Sequence, residues 1–245
     1  MPQVRSLAVV VGAGGGIGGA LVRRLAAQDR YDAVVGVARR RPKDWPHDPA
    51  FAFVGADVTD EAQVSAAAST IDELGSPVRI VVATGLLHAD GVTPEKSLRA
   101  LDPEALITLF RVNAVAPALI AKHLLPLTPR DRISLFAALS ARVGSISDNR
   151  LGGWHGYRAS KAALNMLIAT LAIEHRRSRK MGICVALHPG TVETRLSAPF
   201  QQGAAAVPKR LTPDQSAAAL IEVMDRLGPE HTGRFFAWDG QPIPW

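Results

Sequence analysis

The chain has 245 residues, 47% of them apolar and 20% charged, a balance that suits one domain with a large core and excludes a disordered chain. Its net charge is +6, but the basic residues are scattered. With no zinc-finger, RNP-type or aromatic-interleaved pattern among them, a nucleic-acid partner is not expected. The single cysteine, Cys184, excludes an internal disulfide, and the seven histidines never pair with Cys or acid at ligand spacing, so no metal is expected.

Strand and helix signals alternate along the chain. Ser6–Val11 is an apolar strand run, followed at once by six glycines between Gly12 and Gly19. Those glycines argue against reading Arg5 and the apolar run as a signal peptide. Ile17–Gln28 is helical, with Ile17, Leu21, Val22 and Leu25 on one face. Ala33–Val37 and Ala52–Gly55 read as strands, Glu61–Leu74 as a helix closed by Gly75 and Pro77, and Val78–Ala83 as a fourth strand. A long helix covers Pro103–Leu127, where Pro117 should kink it. Ile133–Leu139 is the fifth strand, Tyr157–Arg177 a helix, Ile183–Leu187 the sixth strand with Cys184 in the core, Pro213–Leu227 the last helix and Arg234–Trp238 the seventh strand.

This alternation predicts an α/β fold: one Rossmann-type, doubly wound domain over residues 1–245, with a seven-stranded parallel sheet and helices on both faces. Ligands of such sheets bind at the carboxyl ends of the strands. The stretch from Arg195 to Arg210 lacks clear structure and reads as a substrate loop. With no signal segment and no run of 18 apolar residues, the expectation is a cytoplasmic protein with no membrane partner.

A strand, a glycine loop and a helix in succession are the parts of a dinucleotide site. Glycines let the backbone approach a pyrophosphate, and the helix N-terminus offers N–H groups to it. Two spacings fit, Gly12-x-x-x-Gly16-x-Gly18 and Gly14-x-Gly16-x-x-Gly19. After the second strand an NAD site usually carries an acid for the ribose 2′-hydroxyl; here Arg39-Arg40-Arg41 stands instead, which predicts NADP(H) over NAD(H). Tyr157 and Lys161 lie four apart, hence on one helix face, where an ammonium can pull a phenol toward the working range of a proton donor.

The ordered set of motifs resembles the short-chain dehydrogenases/reductases along the whole chain: Gly12, Gly14, Gly15, Gly16, Ile17 and Gly18 in the loop, Asp57-Val58, Asn113, Ser140, Tyr157 with Lys161, and Pro189-Gly190-Thr191-Val192-Glu193-Thr194. Ala83-Thr84-Gly85, Leu139-Ser140-Ala141-Arg142-Val143-Gly144 and the ending Trp238–Trp245 look like the C-factor-type branch, which is similar to sniffer-type carbonyl reductases. The resemblance implies Tyr157 as general acid–base, Lys161 lowering its pKa and holding the nicotinamide ribose, Ser140 on the substrate oxygen, and Asn113 anchoring a water relay. It also implies Arg39 and Arg40 at the 2′-phosphate, Asp57 and Val58 beside the adenine, and Thr194 on the carboxamide, with Pro189, Gly190 and Val192 completing that wall. The substrate would be a small carbonyl or alcohol, and the protein a homodimer or homotetramer joined through the two long helices.

The chain departs from the family pattern in places. Val11 stands where threonine is frequent, and Val82-Ala83-Thr84-Gly85 replaces Asn-Asn-Ala-Gly. Ser147–Gly153 looks like an insertion, which lengthens the gap from Ser140 to Tyr157 and leaves Ser145 as a second candidate serine. Pocket walls are expected from Leu86-Leu87-His88, from Gly152 to His155 and from the 195–210 loop; their apolar character suits a hydrophobic carbonyl. A rival reading, a C-factor-like signalling or nucleotide-sensing protein with little turnover, shares every motif except a need for the catalytic set.

Overall fold

The computed structural model describes residues 4–197 and 210–245. Seven parallel strands, β1 (Ser6–Val11), β2 (Ala33–Ala38), β3 (Phe51–Gly55), β4 (Ser76–Val82), β5 (Ser134–Leu139), β6 (Gly182–His188) and β7 (Phe235–Ala237), form one sheet in the order β3-β2-β1-β4-β5-β6-β7. The order reverses between β1 and β4, the crevice where sheets of this kind bind ligands.

Alternating side chains on each strand feed two cores. Val9, Val35, Ile80, Phe136 and Cys184 face one way, against α2 (Glu61–Leu74), α4 (Ala116–Leu124) and α5 (His155–Ser178). Val10, Val34, Val81, Leu135 and Val185 face the other, against α1 (Gly16–Ala26) and α6 (Pro213–Arg226). Strands buried on both faces read as unbroken apolar runs, which is why they are visible in the sequence. Cys184 is fully buried, and burial pushes its thiol up to about 12, the state of an inert core cysteine.

Helix starts follow local chemistry. Asp60 accepts from Ala62 and Gln63 N–H to cap α2, Asp102 caps α3 (Pro103–Phe110), and Thr212 and Gln215 close a reciprocal capping box on α6. β4 starts earlier than Val78: it takes in Pro77, which faces Leu7 just where the β1 register slips, so its missing N–H costs no regular ladder bond.

The predicted kink in the long helix has a different form. Residues Arg111–Val115 make a π-helical turn between α3 and α4, and Pro117 sits in the first turn of α4. Pro117 cannot donate to the carbonyl of Asn113 four residues back, so the helix widens there. The run Pro103–Leu127 is long and apolar enough to cross a membrane by length and composition; in the fold it packs against α2 and α5.

Candidate active site

A cavity of about 630 Å³ opens at the carboxyl end of the sheet. Its floor is the glycine loop. Gly12 has φ +91°, and a Cβ there would sit 2.9 Å from the Ala83 carbonyl carbon; a Cβ on Gly18 would sit 2.1 Å from the Gly12 oxygen. Gly14 has room, its nearest neighbour being the Ala38 methyl at 3.7 Å. The sterically obligatory pair is therefore Gly12 and Gly18, which selects the first of the two spacings. α1 opens at Gly16 with no side-chain cap and no acid in its first turn, leaving its N–H groups for an anion. Thr84 Oγ1 lies beside this floor, buried and without a partner. Bare backbone, an uncapped helix start and an unpartnered hydroxyl fit a dinucleotide.

At the other end of the cavity, α5 and the loop after β5 bring Tyr157, Lys161 and Ser140 together. Tyr157 and Lys161 share one face of α5, with Nζ 6.0 Å from the centre of the phenol ring. Lys161 Nζ donates to Leu139 O at 2.8 Å. Ser140 Oγ donates to Asn165 Oδ1 at 2.7 Å, and Asn165 Nδ2 donates to Gly144 O, which fixes the amide orientation. Ser145 lies outside the lining, its hydroxyl donating to Pro244 O.

Asn113 is fully buried in the π-helical turn. Its Oδ1 accepts from Leu86 N at 2.8 Å, and Nδ2 donates to Leu86 O at 2.8 Å and to Ser160 Oγ at 3.1 Å. Both amide hydrogens are thus committed to protein. Pro117, four residues on, removes the donor that the Asn113 carbonyl would have in a regular α-helix.

The electrostatics differ from the expectation that Lys161 lowers the phenol. Burial raises Tyr157 to about 12, and burial also brings Lys161 down to about 7. Desolvation penalises the charged form of each, and the ammonium is turned toward Leu139 rather than toward the phenol oxygen. Tyr157 is therefore a neutral, protonated phenol at neutral pH.

The remaining expected residues fall in three places. Gly14, Gly15, Gly16, Ile17, Gly18, Ala83, Thr84, Gly85, Pro189 and Thr194 line the cavity. Gly12, Gly190 and Val192 lie just behind it: Gly190 has φ +82° against Trp238, and Val192 bridges to Leu211. Arg39, Arg40, Asp57 and Val58 stand beyond the lining at the β2 and β3 ends. Asp57 accepts from Thr59 N and Oγ1, bonds that hold its carboxyl below the usual carboxylate range with help from the Arg39 charge. The part of the expected substrate loop from 198 to 209 lies outside the described residues.

Three histidines lie close to the site residues in sequence. Burial lowers His188 to about 4, so it is neutral at pH 7, and His88 Nε2 sits 3.1 Å from Arg195 O. His155 is the first residue of α5, ahead of Tyr157.

Sequence reasoning missed Asn165, although it continues the Tyr157–Lys161 stripe at the same four-residue step. It also missed Arg23, Asp44 and Trp45, which line the cavity beside the glycine loop. Trp45 is buried over Gly36, where a Cβ would meet its ring at 2.1 Å; its signal is that strand glycine.

Residues 6–205 match the family described as short chain dehydrogenase. The chain is 32% identical over 240 residues, 98% of its length and 100% of the other, to the 1-hydroxy-2-glutathionyl-2-methyl-3-butene dehydrogenase of Rhodococcus sp. (strain AD45). It is 34% identical over 149 residues to the C-signal of Myxococcus xanthus, 61% of this chain and 84% of that one. Among solved structures it is similar to the NADPH-bound carbonyl reductase from chicken fatty liver, with a TM-score of 0.84 and 27% identity, over 99% of this chain and 100% of that one.

Proposed function

The chain belongs to the short-chain dehydrogenase family, and from that premise we propose an NADP-dependent oxidoreductase that interconverts a carbonyl and its alcohol, with Tyr157 as general acid–base. The observation that carries this reading is one cavity with the glycine loop at one end and Tyr157, Lys161 and Ser140 at the other. Bound NADPH would supply the hydride.

Tyr157, neutral in its dry setting, holds the proton that a carbonyl oxygen needs on becoming a hydroxyl. Ser140 Oγ, which here gives its one proton to Asn165 Oδ1, would turn that proton to the substrate oxygen on binding. Lys161 would grip the nicotinamide ribose and, when protonated, stabilise the phenolate that proton transfer leaves behind. The Asn113 carbonyl would hold the water that returns a proton through Lys161. Arg39 and Arg40 would meet the 2′-phosphate, Asp57 and Val58 the adenine edge, and Thr194 the carboxamide.

The surroundings of Tyr157 are apolar: Leu86, Leu87, Val143, Trp154 and Leu196 pack around it, with Leu196 on the cavity lining and the other four outside it. That setting favours a hydrophobic carbonyl, and the Rhodococcus relative, named for an alcohol, supports including the reverse direction. A cytoplasmic homo-oligomer is part of the same proposal. Ile107, Val115, Met166 and Ile173 are exposed on the outer faces of α3, the π turn and α5 and would be covered by a second copy.

Likeness to the C-signal keeps the signalling alternative in play. Loss of NADPH absorbance across a panel of aldehydes, ketones and quinones separates the two. Turnover of at least one class is the expected result. Tight NADPH binding with no turnover of any class would favour signalling or sensing.

A further inference from the structure

We infer that Arg23, two turns into α1, is a further cation for the cofactor's adenosine 2′-phosphate, reaching it from α1 while Arg39 and Arg40 reach it from the end of β2; the inference rests on the NADP reading above. Gly15, Gly19 and Arg23 are four residues apart and share one face of α1, and helix side chains lean toward the N-terminus. The two glycines leave that face bare. A Cβ built on Gly19 would lie 3.6 Å from Arg23 Nη1, so the guanidinium rests over Gly19 and reaches back toward the loop.

Arg23 lines the cavity, whereas Arg39 does not. Its neighbour Arg24 is committed to Asp214 in a two-bond ion pair. Among the described residues Arg23 makes no hydrogen bond or ion pair; the acid that feels its charge, Asp214, is bonded to Arg24. An unpaired guanidinium on a cavity wall is equipped to meet an anion.

Position selects which anion. The uncapped start of α1 already serves the pyrophosphate. Arg23 shares its part of the wall with Asp44 and Trp45, from the segment that follows β2, and the residues after β2 are the ones that read the ribose 2′ substituent. Asp44 would repel a phosphate there. Arg39 and Arg40 stand beyond the lining, so Arg23 is the arginine on that part of the cavity wall itself that offsets that carboxylate.

The test compares adenosine 2′,5′-bisphosphate with 5′-AMP, which differ only in the 2′-phosphate. Dissociation constants are measured by calorimetry for the wild type, Arg23→Met and Arg23→Lys. Arg23→Met should weaken the bisphosphate about tenfold, the loss of one charge-assisted contact, while leaving 5′-AMP within twofold. Arg23→Lys should recover part of the loss. An unchanged bisphosphate constant in Arg23→Met overturns the inference, as does an equal loss for both ligands, which would put Arg23 on the 5′ side. If the wild type binds both ligands equally, the NADP reading itself fails and takes the inference with it; a wild-type preference that is undiminished in Arg23→Met sinks the inference alone.

Discussion

At the residue scale, burial sets where two protons sit in the cavity. Tyr157 is kept neutral by burial, and Lys161 is brought near neutrality by the same cause. Binding a cofactor that accepts hydrogen bonds from the ammonium favours charged Lys161. NADPH binding at pH 8, where the free protein holds Lys161 largely neutral, should therefore take up a proton. Calorimetry in buffers of different ionisation enthalpy reads that uptake, and Lys161→Met should abolish it; equal uptake in the variant would show that the proton goes elsewhere. Arg39 carries a second residue-scale expectation. Replacing Ala38 with Asp and Arg39 with Leu removes a charge-assisted bond of about 1.5–3 kcal/mol and adds a repelling acid. The ratio of kcat/KM for NADPH over NADH should then fall by roughly 10- to 150-fold. A wild-type ratio near one would leave the arginines as surface decoration.

At the element scale, the glycine loop is the part most tightly dictated by sterics. Gly18→Ala pushes a methyl into the Gly12 carbonyl oxygen, so it should lower the melting temperature and weaken NADPH binding together. Gly14→Ala finds only an ordinary contact with Ala38 and should keep the wild-type melting temperature. Thermal melts of the two variants side by side check this; equal melting would remove the close approach from the account. The same element shows what sequence could and could not reveal. Both glycine spacings fit the letters, and only the Gly12–Gly18 contact chose between them. The kink near Pro117 was legible because proline lacks an N–H. Its form, a π-helical turn that buries Asn113, depends on Leu86 and Ser160 arriving from distant segments to meet the Asn113 amide.

At the scale of the whole molecule, the seven parallel strands and the helices on both faces are legible as apolar runs punctuated by glycine and proline, while the strand order comes from the structure. The pairing of Tyr157 with Lys161 is legible in the sequence because both lie on one helix. Asn165 and Arg23 were not read, since their importance comes from what the fold sets opposite them: Ser140 in one case, Asp44 and Trp45 in the other. The direction of the Tyr157 shift was misread for the same reason, because burial is a property of the assembled pocket. The central claim is that this pocket moves a proton through Tyr157 while the cofactor is held elsewhere. The direct measurement is kcat for a responsive carbonyl and the NADPH dissociation constant, taken together for Tyr157→Phe. General acid–base groups contribute about 10²–10⁴ in rate, so turnover should fall by at least about a hundredfold while the dissociation constant stays within a few-fold. A variant that keeps more than roughly a tenth of wild-type turnover, far above that range, would contradict the account.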